Sequence, residues 1–153
     1  MKVHDAMTHA PAACEPTTPL RLVAQLMSDH QCAAIPITAS GRLIGIVTDR
    51  DIACRAVALR DDAATLPAAA CMSQPVITVA GGDSIEHAIA LMEENAIHHL
   101  PVIREDGTLI GILAQSDLGR RMTNREFGAL TRRTSIRSRY DRRFASALVK
   151  AEH

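Results

Sequence analysis

Residues 40–51 read Ser-Gly-Arg-Leu-Ile-Gly-Ile-Val-Thr-Asp-Arg-Asp, and residues 106–117 read Asp-Gly-Thr-Leu-Ile-Gly-Ile-Leu-Ala-Gln-Ser-Asp. Each stretch opens on a glycine turn, runs through an apolar strand and ends at a carboxylate. The likeness extends outward. A shift of 65 residues lays Leu20, Val23, Ala24 and Met27 on Ile85, Ala88, Ile89 and Met92, and Ile35-Pro36-Ile37 on Leu100-Pro101-Val102. One further residue of slip at the turn lays Gly41, Gly45, Asp51 and Arg55 on Gly107, Gly111, Asp117 and Arg121. Met7 matches Met72, with Pro11 and Pro75 shortly after. So many matches in order make this an internal repeat.

Each copy reads as strand–helix–strand–strand–helix. Apolar residues at i, i+3, i+4 and i+7 predict a helix. Thr18-Pro19 marks its start in the first copy, and Asp83 with Glu86 in the second. The hairpin strands are expected at 33–38 and 42–48, then at 99–103 and 108–114. A closing helix is expected from Asp49 and from Ser116. The chain of 153 residues divides into copy one (3–60), a linker (61–70), copy two (71–122) and a basic tail (123–153). Neither copy alone is large enough to cover its sheet, so the two should pack as one α/β (α+β) body.

Order, Pro-containing strand and the ending Gly45-Ile46-Val47-Thr48-Asp49-Arg50-Asp51 resemble the CBS domain, named after cystathionine β-synthase. Two in tandem resemble a Bateman module. The resemblance covers residues 3–122 and implies two β-α-β-β-α motifs related by pseudo-two-fold symmetry and a disc-like homodimer. It also implies a regulatory module, not an enzyme, that binds an adenine nucleotide such as AMP, ADP or ATP and signals to a separate partner.

Thr48 ends a strand and Asp51 lies in the first helical turn beyond it. Free N–H groups there favour a phosphate, and a carboxylate can accept both hydroxyls of a ribose. The same residues can equally serve as a helix cap. The resemblance implies the ligand role. It further implies that the adenine is read by the backbone of Pro75, Val76, Ile77 and Thr78 in the other copy, with His98, His99, Arg50 and Arg55 facing phosphates. A second, weaker site would combine Asp117 and Ala114 with Pro11, Ala12, Ala13 and Cys14. Ala114 lacks the Thr hydroxyl, and Ala33 and Ala34 stand where the first site has histidines.

Aromatics are 2% of the chain and Trp is absent, which leaves few platforms for stacking bases. Residues 1–122 hold nine Lys and Arg against fourteen Asp and Glu; residues 123–153 hold eight against three. Arg132, Arg133, Arg137, Arg139, Arg142 and Arg143 crowd the tail, followed by Phe144, Ala147 and Leu148. A solvated arm, or one lying on a dimer mate, is expected in preference to a nucleic-acid reader. Cys14, Cys32, Cys54 and Cys71 form no CxxC pair, the start of the chain is polar, and no apolar run is long enough to span a bilayer. A cytoplasmic protein without a resident metal or cofactor is expected. A metal or redox sensor built on Cys and His, or nucleic-acid binding through the arginines, is the alternative.

Overall fold

The structure is a computed structural model that describes residues 1–136 and 138–151, without the side chains of 147–149 and 151. Arg137 and His153 of the tail, and the side chains of Ala147 and Leu148, therefore lie outside the described residues. The chain forms two compact units, one of Ala10–Val76 with Arg104–Ile110, the other of Met1–His9, Ile77–Ile103 and Gly111–His153.

In the first unit, helix α1 (Leu20–His30) buries Leu20, Val23 and Met27. Strands β2 (Ala34–Ala39) and β3 (Arg42–Thr48) form an antiparallel hairpin. Ser40 (φ 51°) and Gly41 (φ 77°) turn it, the positive-φ pair that a two-residue hairpin requires. Single residues extend this ladder on both sides: Ser73 bridges Ile46, and Cys14 bridges Ile37 in parallel. The chain leaves β3 into helix α2 (Asp49–Asp51), which widens into a π-helical turn over Ile52–Val57. The core gathers Leu20, Val23, Met27, Ile35, Ile37, Val47, Ala56, Ala68 and Cys71.

The second unit repeats the plan. Its sheet runs β1 (Thr8–His9), β6 (Leu109–Ala114), β5 (His99–Ile103), β4 (Val79–Ala80). Helix α3 (Ile85–Asn95) buries Ile85, Ala88 and Met92. Helix α4 (Gln115–Gly119) follows β6, and the tail adds α5 (Asn124–Thr134) and α6 (Arg139–Ala151).

The leading segments are exchanged. Thr8 pairs with Ile112 of β6, so the start of copy one completes the sheet of copy two. Ser73, at the start of copy two, pairs in turn with Ile46 of copy one. The equivalent methionines follow: Met72 lies over Gly45, and Met7 over Gly111. A Cβ on Gly45 would stand 2.5 Å from Met72 Sδ. Gly45→Ala, and equally Gly111→Ala, should therefore cost about 1–3 kcal/mol through overpacking. A urea unfolding midpoint unchanged from wild type would contradict this.

Three expectations are corrected. Helix α3 is capped by Ser84, whose hydroxyl accepts from His87 N at 3.1 Å, while Asp83 closes the preceding turn onto Ala80 N. Helix α1 begins after Pro19 with no side-chain cap, and the Thr18 carbonyl accepts from Ala68 N instead. The tail is no solvated arm. Thr123 and Glu126 form a capping box, and Leu130, Thr134 and Tyr140 are buried.

Candidate functional site

The corner where β3 becomes α2 is built by two reciprocal bonds. Thr48 has extended backbone and caps the helix, its hydroxyl accepting from Asp51 N at 3.2 Å. The Asp51 carboxylate accepts in return from Thr48 N at 2.8 Å through Oδ2. Its other oxygen, Oδ1, lies 3.5 Å from Arg55 Nε, with the two side chains only 7% and 3% exposed. Arg55 then donates from Nη1 to Ser73 Oγ (2.9 Å) and to the Cys71 carbonyl (3.2 Å). The carboxylate is thus fixed in place by its cap and by a guanidinium that is itself anchored on the chain entering copy two.

Arg55 is therefore placed otherwise than the resemblance implied. It is turned inward as the buried partner of Asp51, one helical turn away, instead of facing outward towards a phosphate. Arg50 is exposed, its N–H donating to the Asp49 carboxylate at 2.7 Å. Pro75 is exposed and Val76 half-buried in the same unit as Asp51.

Ile77, Thr78, His98 and His99 belong to the other unit. Pro75–Thr78 is irregular, and the parallel strand β4 begins only at Val79. Pro75 has no N–H for a ladder, and the Ile77 N–H donates to Tyr140 Oη at 2.8 Å in place of a strand neighbour. The ring of exposed His98 bonds through Nε2 to the Thr134 carbonyl at 3.1 Å, while His99 is half-buried in β5.

The second copy's corner is poorer. Asp117 accepts from Ala114 N at 2.8 Å, but Ala114 has no hydroxyl to return the bond. Arg121, the counterpart of Arg55, is exposed and donates instead to the Asp5 carbonyl at 3.2 Å. Pro11, Ala12, Ala13 and Cys14 are half-buried in the first unit, and both backbone groups of Cys14 are taken by β2.

Two of the tail arginines bind their own unit: Arg133 Nη1 lies 2.9 Å from Glu93 Oε2, and Arg139 donates to Asn95 Oδ1 at 3.1 Å. An open groove of about 620 Å³ is lined by Arg139, Arg142, Arg143 and Lys150 with Glu94, Asn95 and Ser146.

Burial pushes the Cys71 thiol up to about 11, with the Asp51 charge adding to the rise and Arg55 opposing it. Burial also raises Cys14 and Cys32. These thiols are protonated near neutrality and poor nucleophiles. Exposed Cys54 should therefore react with a disulfide reagent at pH 8 at least about tenfold faster than Cys71; mass mapping that finds Cys71 modified first would refute this. Among the described residues no three of His, Cys, Asp and Glu come together as a metal set, and no helix is long and apolar enough to cross a membrane.

The CBS domain family model matches residues 3–56 and 68–124. The chain is 36% identical over 128 residues to CBS domain-containing protein YhcV of Bacillus subtilis (strain 168), covering 83% of this chain and 90% of that protein. Among solved structures it is similar to Hypoxic Response Protein I with two coordinated zinc ions, at 30% identity and TM-score 0.72, over 80% of this chain and all of that one. It is also similar to the CBS domain pair of protein MJ0100 in complex with 5-methylthioadenosine and S-adenosyl-L-methionine. There the identity is 25% and the TM-score 0.73, over 84% of this chain and 97% of that one. The internal repeat agrees with the two matched segments, and the chain belongs to the CBS domain family, of which it carries two copies.

Proposed function

We propose that the chain is a regulatory module, not an enzyme, whose ligand is an adenine nucleotide of the AMP, ADP or ATP kind. The observation that carries this reading is the Thr48–Asp51 corner: a buried, immobile carboxylate beside a hydroxyl at the mouth of a helical turn. A fixed carboxylate suits a vicinal diol, because neither bond then has to order a mobile side chain. The ribose hydroxyls go to Asp51 and a phosphate to Thr48 and the turn it caps. The backbone of Pro75–Thr78 reads the adenine edge, and His98 and His99 offer basic groups to the phosphates. Arg55 holds Asp51 and does not touch the ligand.

The likeness to a CBS pair that binds two adenosyl compounds supports the ligand class. The corner of Asp117 and Ala114, with Cys14 and Ala13, is the weaker site and suits an uncharged adenosine moiety. The output passes to a separate effector protein, with a second copy of this chain as dimer partner and the cytoplasm as the compartment. Calorimetric titration of AMP, ADP, ATP and S-adenosylmethionine into the full chain tests the reading. It predicts saturable binding of at least one of them near one site per chain, and no heat with any would refute it.

A metal-dependent reading draws on the relative that holds two zinc ions. Metal analysis of the purified chain decides it: one or more zinc ions per chain would favour it over the nucleotide.

A further inference from the structure

The two tail helices occupy groups assigned above to the ligand. Tyr140 on α6 takes the Ile77 N–H at 2.8 Å, the donor that would otherwise meet an adenine nitrogen. The Thr134 carbonyl, at the end of α5, takes the His98 ring at 3.1 Å. Both contacts lie within one unit, more than 30 residues apart in sequence.

The two helices are held differently. Helix α5 is anchored: Leu130 is fully buried, and Thr134 donates to Gln115 Oε1 at 3.0 Å while Gln115 donates to Thr131 Oγ1 at 2.9 Å. Helix α6 buries only Tyr140 among its described residues. Its bonds to its unit include that of Tyr140 to Ile77 and that of Arg139 to Asn95, and it carries exposed Arg142 and Arg143. A helix with few buried side chains opens at lower cost than the core elements it rests on.

We propose that α6 is a built-in competitor for the nucleotide: Tyr140 caps the Ile77 amide, and binding of the adenine displaces it. This rests on the nucleotide reading and gives it an output. Ligand and helix compete for one hydrogen-bond donor, so each weakens the other's hold, and a released α6 offers its arginines to a partner.

The test uses the full chain and Tyr140→Phe, which keeps the ring and deletes the hydroxyl. One hydrogen bond removed from the competing state should tighten AMP or ATP binding about threefold to tenfold by calorimetry. Hydrogen exchange of residues 138–146 should quicken when nucleotide is added to the wild type. Unchanged affinity in Tyr140→Phe, with α6 exchange unaltered or slowed by ligand, would overturn the competitor while leaving the nucleotide site standing. No binding to either protein would remove the nucleotide reading and the competitor with it.

Discussion

Arg55→Met should lower the free energy of unfolding by about 3–5 kcal/mol, the usual cost of stranding one member of a buried ion pair. Methionine keeps most of the stem, so the lost packing is small and the loss is mainly of charge and donors. Asp51, 5% exposed, would retain the Thr48 N–H but lose the guanidinium 3.5 Å away. The Cys71 carbonyl and the Ser73 hydroxyl, both buried, would lose their donor as well. Pairing the change with Asp51→Asn should restore about 1 kcal/mol or more, because the stranded charge goes too. Urea unfolding of the single and double variants measures this. A loss below about 1 kcal/mol for Arg55→Met would show that the pair does not hold the corner.

Asp51→Asn should weaken adenine-nucleotide binding by about a hundredfold or more. A carboxylate accepts both ribose hydroxyls in charge-assisted bonds of about 1.5–3 kcal/mol each, whereas an amide offers one neutral acceptor and turns donors towards the second hydroxyl. The amide oxygen of the variant can still accept from Thr48 N, so the cap survives, although Arg55 loses its buried ionic partner. Asp117→Asn, at a corner that lacks the Thr hydroxyl, should change the affinity of the tight site less than about threefold. Titrations run well below the unfolding temperature of each variant separate binding from stability. Equal losses in the two variants would mean that the site does not centre on Asp51.

Much of this architecture is written in local chemistry. The hairpins follow from Gly41 and Gly107, whose positive φ values of 77° and 85° suit glycine, and from the apolar runs beside them. The strands at 42–48 and 99–103 lie where the pattern puts them. Helix ends were harder to see, because α1 and α3 close on Gln31 and Ala96 in the left-handed region, where glycine is the usual signal. The exchange of leading segments leaves no periodic trace: Thr8 and Ser73 join sheets through one or two residues each, too few for an alternating pattern.

At the candidate site, the Thr48–Asp51 helix cap could be found from its spacing, while the ligand role came from the family resemblance. The inward turn of Arg55 could not. Its i, i+4 spacing from Asp51 recurs in Asp117 and Arg121, where the arginine is exposed, so spacing alone does not say which copy buries the pair. The tail carried a signal that charge obscured. Thr123 and Glu126 have the capping-box spacing, and Leu130, Thr134 and Tyr140 mark a face among the arginines.

The most direct measurement is a crystal structure of the chain grown with saturating AMP. The account predicts both ribose hydroxyls within about 2.5–3.0 Å of the Asp51 carboxylate and a phosphate at Thr48, with Arg55 still buried against Asp51. A nucleotide bound elsewhere, with Asp51 still engaged only by Thr48 and Arg55, would contradict it.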